Sequence, residues 1–537
     1  MRRAACVLVL LAFSAADAHA GTRRYAVVVA HGRSLTPGVA PLEYADDDGA
    51  RYYELLSQVA DEVLLYVVLD RDSQRLYPQA AKVARVPSHA AVREGLAGTF
   101  ARARRDRDRG DEVVFYFVLV GHGAIGAGGE GYVSLLDAPF TRTDLFRQVI
   151  APSPATTNHV IVDACNSYYL VHRRGDGPDR DDGAPGEGRA VGAFLAEEDL
   201  GRYPNTGVLL STSAARESHE WSAYGAGVFS HEVRSAMAGA ADVNGDGRIE
   251  YSEVRAFVAA ANLRVGNPRA RLAIFARAPA IDHSRPLVDL RAARFASFLH
   301  VPKGAPVRFY LEDARGVRYL DAHLAGDRAV TLGLVPSGHY YARTADGTRE
   351  QRLGLGRRGR LELRRDRMAP APIAARGATT EAFQQGLFAV PFGRGFYLGH
   401  VGSTDEAPVR ESVTPWLPSA GPALAEPARG DGSGRGRRIA AWVMAGAAAS
   451  LAAGGALALA AATGNLGPTA GHQPKGVGVG GTPSSAAARE STSWRLALTG
   501  GLLLGGAAAA GTTSVVLFVG GGRERAGVGV GVAGTFR

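Results

Sequence analysis

The sequence predicts an α/β fold with a mostly parallel sheet, followed by a small all-β sandwich and two C-terminal transmembrane helices. Three patterns indicate this: apolar runs that alternate with helical stretches, a later region of short strands with turn residues, and two charge-free stretches near the end. The chain has 537 residues, of which 46% are hydrophobic. This length and composition are enough for more than one core, so several domains are expected.

The first twenty residues have the pattern of a secretory signal peptide. Arg2 and Arg3 give a positive start, residues 6–13 form an apolar run, and an Ala-His-Ala site ends at residue 20. We therefore predict an exported protein on the periplasmic or another extracytoplasmic face. Once this segment is removed, Cys165 is the sole cysteine. An exported protein with one cysteine forms no internal disulfide, so another role is expected for this thiol.

Residues 24–265 are predicted to form the α/β domain. Helical patterns cover residues 48–58 and 90–105, between the predicted strands. The strand runs are apolar without alternation, as is typical of parallel strands that are buried on both faces. The predicted strands cover residues 25–30, 62–69, 113–120, 159–162 and 208–211.

Two different patterns follow inside and after this domain. Residues 173–189 are rich in Gly, Asp and Arg, with no aromatic side chain, and are predicted to be a flexible exposed loop. Residues 286–365 contain short apolar runs separated by Asp, Gly, Pro and Ser. This spacing predicts a small antiparallel β-sandwich, which we expect to bind a protein partner.

The C-terminal part is predicted to reach a membrane. Residues 366–438 are rich in Pro, Gly and Ala and are interpreted as a linker region. Residues 439–463 and 496–522 carry no charge and are long enough to cross a bilayer. Trp442 and Trp494 lie near their starts, where interfacial aromatic residues are favoured. Two transmembrane helices are therefore expected, with a low-complexity linker as the alternative for one of them.

The charge of the chain argues against a nucleic-acid partner. The formal net charge is +9 and the pI is about 9.6. Only three lysines contribute, and the arginines are scattered among acidic residues. A nucleic-acid surface is expected to gather its positive charge on one face, so no nucleic-acid binding is predicted.

Two predicted strands end in residues that could perform chemistry. The run at 113–120 is followed by Gly121-His122-Gly123, and the run at 159–162 is followed by Asp163-Ala164-Cys165. Loops at the carboxyl ends of neighbouring parallel strands line one crevice, so His122 and Cys165 are expected side by side. A thiol needs a base or a positive field to become a thiolate, and an imidazole supplies both. The alternatives are a turn histidine and a buried structural cysteine.

These motifs resemble the caspase and metacaspase peptidases. The similarity includes residues 42–51, 209–214 and 227–230, and it covers residues 25–262, about half of the chain. It implies a cysteine-type endopeptidase with His122 as the base and Cys165 as the nucleophile, and with no cofactor for the chemistry.

The resemblance also implies roles for residues around the dyad. The backbone amides of Gly123 and Cys165 would stabilise the oxyanion. Asp163 and Asp48 would bind the substrate side chain, which implies cleavage after Arg or Lys rather than after Asp. The alternative for Asp163 is a buried helix cap.

Residues 242–253 fit the twelve-residue EF-hand loop and predict a Ca²⁺ site, with an ion-free polar turn as the alternative. Gly247 stands where the loop turns sharply. Carboxylates or amides occupy the first, third and fifth positions, and a glutamate that can ligate with both oxygens closes the loop. The predicted ligands are Asp242, Asn244, Asp246, the carbonyl of Arg248, and Glu253.

Taken together, the motifs predict a membrane-tethered, caspase-like cysteine endopeptidase that acts on peptides or proteins and depends on Ca²⁺. Two alternatives stay open. The first is a catalytically inactive scaffold with the same fold. The second is a membrane-anchored Ca²⁺ sensor whose sandwich binds a partner protein.

Overall fold

The structure is a computed structural model. It describes residues 21–418 with internal gaps, and the backbone of two later strands. The predicted signal peptide, the predicted 173–189 loop and the first predicted span, at 439–463, lie outside the described residues. The chain divides into two compact units, Met1–Ala423 and Leu424–Arg537. The gaps are residues 127–128, 166–169, 171–199, 212–219, 268–270, 273, 355–359, 372–382, 384–385, 405–406 and 413.

The first part of the chain forms an α/β region around a six-stranded sheet with the order β12-β8-β7-β3-β1-β2. Five strands are parallel, and β12 pairs antiparallel to β8. The predicted α/β class and its mostly parallel sheet are confirmed. The strands of this region are β1 (Thr22–His31), β2 (Glu62–Tyr66), β3 (Glu112–Gly121), β4 (Gly123–Ile125), β5 (Gly131–Ser134), β6 (Pro139–Thr141), β7 (Thr157–Asp163), β8 (Thr206–Ser211), β9 (Glu220–Trp221), β10 (Ala226–Gly227), β11 (Arg248–Ile249) and β12 (Ile274–Arg277).

Helices cover both faces of this sheet, because successive strand residues point to opposite sides and both sides are apolar. On β3, Tyr116 faces a core with α1, α6 and α7, whereas Phe117 faces a core with α4. The helices are α1 (Ala45–Val59), α2 (Arg71–Leu76), α3 (Pro78–Val83), α4 (His89–Asp108), α5 (Arg142–Asp144), α6 (Val228–Ser235) and α7 (Tyr251–Asn262).

An antiparallel β region follows, as predicted, and belongs to the same compact unit. It has a three-stranded sheet, β17-β14-β20, and a five-stranded sheet, β16-β15-β18-β19-β21, while β13 pairs with β11 of the α/β region. One pairing, β14 with β20, is parallel. The strands are β13 (Val288–Asp289), β14 (Ser297–Val301), β15 (Val307–Asp313), β16 (Arg318–Leu324), β17 (Val330–Leu334), β18 (His339–Thr344), β19 (Arg349–Gly354), β20 (Arg360–Glu362) and β21 (Ala369–Pro370).

The predicted linker at 366–438 contains ordered structure where it is described. A further helix, α8, covers Arg394–Val401. Phe388 and Phe392 are buried and pack on Phe257 of α7, with ring centroids 5.6 and 5.5 Å apart. A few large aromatic residues thus bury enough apolar surface to hold this part of the Pro- and Gly-rich region in place.

The second compact unit is described only by a hairpin of β22 (Ser514–Phe518) and β23 (Gly529–Ala533), which pair antiparallel. Ser514–Phe518 lies within the second predicted transmembrane helix, 496–522, so the helical assignment is wrong for these five residues. Their sequence, Ser-Val-Val-Leu-Phe, is β-branched and aromatic, which favours a strand. In the described parts of the chain, no helix is long and apolar enough to cross a membrane.

Candidate active site

Strands β3 and β7 bring the two predicted catalytic residues to one edge of the sheet. The strands are parallel neighbours, and Val120 is paired with Asp163 in their register. His122 and Cys165 each follow this pair by two residues. The sheet therefore carries both residues past the same end at the same level, which is the arrangement that the two motifs predicted.

The two loops touch at Gly123. A methyl group on this residue would lie 1.7 Å from the carbonyl oxygen of Cys165 and 3.1 Å from the Cβ of Ala164. No residue with a side chain fits such a gap, so glycine is required for the close approach of the two backbones. The loop that carries His122 is thus packed directly on the backbone of the candidate nucleophile.

His122 has the protonation state that a general base needs. Burial lowers its pKa below the usual value, although the backbone carbonyls of Ala40 and Gly32 oppose that shift. Its Nε2 is buried and has no hydrogen-bond partner among the described residues. A neutral imidazole with an unengaged ring nitrogen can accept a proton, which is what activation of a thiol requires.

Cys165 lies in the turn that follows β7, and it is 6% exposed. Asp163, two residues earlier, ends the strand and is also buried. The neighbours that follow, residues 166–169, lie outside the described residues. The structure thus brings His122, Gly123 and Cys165 together at one sheet edge.

The structure also brings together Asp163 and Asp48, which are far apart in sequence. Gly227 lies between them, since a methyl group there would be 3.0 Å from an oxygen of each carboxylate. The Asp163 carboxylate accepts hydrogen bonds from the Ser230 hydroxyl at 2.5 Å and from its amide at 3.2 Å. Asp48 accepts from the Gly227 amide at 2.7 Å and pairs with Arg234 at 2.8 Å.

Two arginines act on this cluster, since Arg234 pairs with Asp48 and Arg51 also interacts electrostatically with Asp48. Burial and, next, the neighbouring Asp48 raise the pKa of Asp163 to about 7. Arg234 pairs with Asp48, places its guanidinium over the ring of Tyr52, 5.1 Å from the centroid, and opposes the rise in the pKa of Asp163. The pKa of Asp163 stays raised despite this arginine, so a further cation brought to Asp163 would stabilise its carboxylate.

Sequence reasoning missed Arg234 and did not assign Ser230 a role. Residues 227–230 stood out as a motif, but nothing in them indicates a hydrogen bond to Asp163. Arg234 reaches Asp48 across 186 positions of the chain. Asp48 and Arg234 come together only in the folded protein, where α1 lies beside α6, so the sequence alone does not predict this ion pair.

The predicted Ca²⁺ loop, Asp242–Glu253, has the backbone of a tight turn. Gly245 and Gly247 adopt φ angles of +73° and +76°, a region that side chains disfavour. Both oxygens of the Asp242 carboxylate accept hydrogen bonds from the amides of these two glycines, at 2.7 and 3.0 Å. The predicted ligands Asn244 and Asp246 each accept an amide hydrogen bond within the loop, at 3.0 and 2.7 Å.

The end of this loop is similarly closed. Glu253 is fully buried, and its two oxygens accept from the amides of Val243 and Glu250 at 2.9 and 2.8 Å. Burial and, next, Asp242 raise the pKa of the Glu253 carboxyl well above its usual value. Arg248, another predicted ligand through its carbonyl, lies in the short strand β11.

The donor chemistry of this loop fits Ca²⁺, because carboxylate, amide and carbonyl oxygens are its preferred ligands and two carboxyl groups repel each other there. Against that, the structure, over the residues it describes, gathers no three His, Cys, Asp or Glu side chains that could hold a metal. In this structure the carboxylates of Asp242 and Glu253 accept hydrogen bonds from backbone amides of the loop instead.

Comparisons with known proteins give distant structural similarity alone. No family model and no curated protein match this chain. A procaspase structure, pro-sf-caspase-1, matches with 11% identity and a TM-score of 0.29, covering 50% of this chain and 94% of that one. A crystal structure of a Geobacter sulfurreducens protein matches with 13% identity and a TM-score of 0.25, covering 50% and 99%. Both TM-scores are low, so function is inferred below from the site residues.

Proposed function

We propose that this protein is a cysteine-type endopeptidase in which His122 and Cys165 form the catalytic dyad. The observation that carries the proposal is the meeting of their two loops, where Gly123 packs against the carbonyl of Cys165 at the ends of neighbouring parallel strands. A neutral histidine beside a buried cysteine is a nucleophile with its base.

The reaction proceeds in two balanced steps. His122 takes the thiol proton, the Cys165 sulfur attacks the peptide carbonyl carbon, and the tetrahedral oxyanion accepts hydrogen bonds from the amides of Gly123 and Cys165. His122 then gives the proton to the leaving amine as the C–N bond breaks. Water, deprotonated by His122, attacks the thioester and releases the carboxylic acid and the thiol. No cofactor takes part in these steps.

The acidic cluster supports specificity for Arg or Lys before the scissile bond. Asp163 and Asp48 flank Gly227, and the pKa of Asp163 stays raised although Arg234 opposes that shift. A substrate guanidinium at Asp163 gains a charge-assisted hydrogen bond, whereas a substrate carboxylate is repelled.

The decisive experiment is hydrolysis of three fluorogenic peptides by the full chain, alike except for Arg, Lys or Asp before the scissile bond. An arginine-based chloromethyl ketone should alkylate Cys165 in the same preparation, as mapped by mass spectrometry. Hydrolysis of the Arg and Lys peptides together with labelling is expected. A folded protein that neither hydrolyses nor becomes labelled is an inactive scaffold.

A second activity, Ca²⁺ binding at Asp242–Glu253, is favoured by the two left-handed glycines and the pair of buried carboxyl groups. Asp242, Asn244, Asp246, the Arg248 carbonyl and Glu253 would hold the ion, and its charge would offset the repulsion between the carboxylates. The loop ends in the first turn of α7, which packs against α6, so binding would act on the fold around the acidic cluster. Export, membrane tethering and a protein partner of the β region complete the proposal.

A further inference from the structure

Helix α6 is buried on all sides although five of its eight residues are polar or charged. Buried polar groups are normally paired, because an unpaired group loses its bonds to water without replacement. The partners of this helix therefore identify what it connects. The polar residues are Ser230, His231, Glu232, Arg234 and Ser235, all 4% exposed or less.

One row of this helix faces the acidic cluster. Ser230 and Arg234 are four residues apart and so lie one turn apart on the same side. Ser230 donates to Asp163 and Arg234 pairs with Asp48. This row positions both carboxylates that the proposed function assigns to substrate binding.

The adjacent row faces strand β16 of the β region. His231 and Ser235 are also one turn apart. The His231 imidazole bonds an Asp321 oxygen through Nε2 at 2.8 Å, and the Asp321 amide donates to the Ser235 hydroxyl at 3.2 Å. Arg318 pairs with the same carboxylate. Burial opposes ionisation of Asp321, but Arg318 and His231 outweigh it and lower the pKa to about 2.

We propose that Asp321 is a positioning residue for substrate recognition, acting through α6 on Asp163 and Asp48. The inference rests on the proposed peptidase function. A packed helix of eight residues moves as a unit, so displacement of His231 and Ser235 displaces Ser230 and Arg234 as well. The β region, which supplies none of the proposed dyad or substrate-binding residues, thereby fixes how the two carboxylates meet a substrate cation.

The test is Asp321→Asn in the full chain, assayed with Arg and Lys peptides. KM for the Arg peptide should rise about tenfold, which is about 1.4 kcal/mol of binding. The kcat value should change much less, because the dyad lies on β3 and β7. Ser235→Ala is a milder change that removes the acceptor of the Asp321 amide together with the hydrogen bond that the hydroxyl donates to the His231 carbonyl within α6. It should raise KM in the same direction.

The matched control is Gln351→Ala on β19. Its side chain is also buried in the β region, where it bonds Glu362 and Arg364 without touching α6. It should lower the melting temperature and leave KM unchanged. An unchanged KM in folded Asp321→Asn and Ser235→Ala, or an equal rise in Gln351→Ala, would overturn the proposal.

Hydrogen exchange separates this proposal from the function on which it rests. The amides of Gly227 and Ser230 donate to Asp48 and Asp163. Asp321→Asn should speed their exchange about tenfold or more relative to the amides of β1, whether or not the chain cleaves peptides. If the wild-type chain is inactive, the peptidase proposal fails while exchange still tests the coupling. Unchanged exchange of these amides in Asp321→Asn would contradict the proposed coupling between Asp321 and the two carboxylates.

Discussion

The strand-end site and the Asp242–Glu253 loop were both predicted from short motifs, yet they differ in how their polar atoms are satisfied. At the strand ends, Nε2 of His122 is buried and has no hydrogen-bond partner among the described residues. In the loop, both oxygens of Asp242 and both of Glu253 accept backbone amides. The strand-end site therefore has a ring nitrogen that can accept a hydrogen bond, whereas the carboxylates of the loop already accept hydrogen bonds from the loop's own amides.

This difference separates two kinds of functional residue. A buried polar atom without a partner costs about 1–3 kcal/mol, and at His122 a hydrogen bond to a reacting group at the strand ends would offset that cost. A loop whose carboxylates already bind amides is folded without an ion, and Ca²⁺ has to compete with those amides. We therefore expect strong effects from changes at the strand ends and weaker ones from changes in the loop.

The largest effect is expected for Cys165→Ala and His122→Ala. Each should lower kcat/KM for the Arg peptide by about a thousandfold or more, because nucleophile and base act as one unit. Steady-state hydrolysis gives the rates, and thermal unfolding checks the fold.

His283→Ala is the matched control, since this histidine is exposed in the chain between β12 and β13. It should retain wild-type rates. If either dyad variant kept wild-type turnover, the assignment of that residue would be wrong.

Gly123→Ala should lower kcat/KM by about a hundredfold, the scale of a displacement of about 1 Å in an active site. The added methyl meets the carbonyl oxygen of Cys165 at 1.7 Å, so the two loops must separate. The melting temperature should also fall.

Gly126→Ala provides the comparison, because a methyl there has its nearest neighbour at 3.5 Å, an ordinary contact. It should keep both activity and stability. Equal behaviour of the two variants would show that the close approach at Gly123 has no bearing on catalysis.

Asp163→Asn should lower kcat/KM for the Arg peptide about a hundredfold, or about 2.7 kcal/mol, and should affect an uncharged glutamine peptide little. The reason is the loss of a charge-assisted contact with the substrate cation. Paired assays of the two peptides measure the preference.

The pH profile sharpens this test. The raised pKa of Asp163, about 7, means that the carboxylate forms as the pH passes through this value. Cleavage of the Arg peptide should therefore increase about tenfold between pH 6 and 8. In Asp163→Asn the rise should shift to lower pH, because burial lowers the pKa of His122, the other titrating group of the site. Faster cleavage after Asp than after Arg would refute the specificity.

The smallest effect is expected at the loop. Wild-type protein should bind Ca²⁺ with a Kd on the order of 0.1–1 mM, as in weak extracellular modules, and Glu253→Gln should abolish the heat measured by calorimetry. Glu94→Gln, at an exposed position of α4, is the control and should retain binding. Absence of heat from the folded wild-type chain at millimolar Ca²⁺ would leave the loop as an ion-free turn.

Sequence patterns predicted what depends on local composition. The core strands are continuous apolar runs, and the motifs that follow β3 and β7 are short, so both could be read from neighbouring residues. The pairing of Arg234 with Asp48 could not be predicted from neighbouring residues, because the two residues meet only after the sheet has formed. The same holds for the segment before α8, where Phe388 and Phe392 pack on Phe257 within a composition that favours linkers.

The burial of α6 has a consequence for the order of folding. His231 is made 90 residues before Asp321, its partner on β16. At ~5–20 residues per second of synthesis, roughly 5–20 s pass before that partner exists. Until then, the His231 imidazole in α6 lacks its carboxylate partner, and the Ser235 hydroxyl lacks the backbone amide that donates to it. We therefore expect maturation of the proposed peptidase to depend on completion of the β region, which follows the α/β region in synthesis.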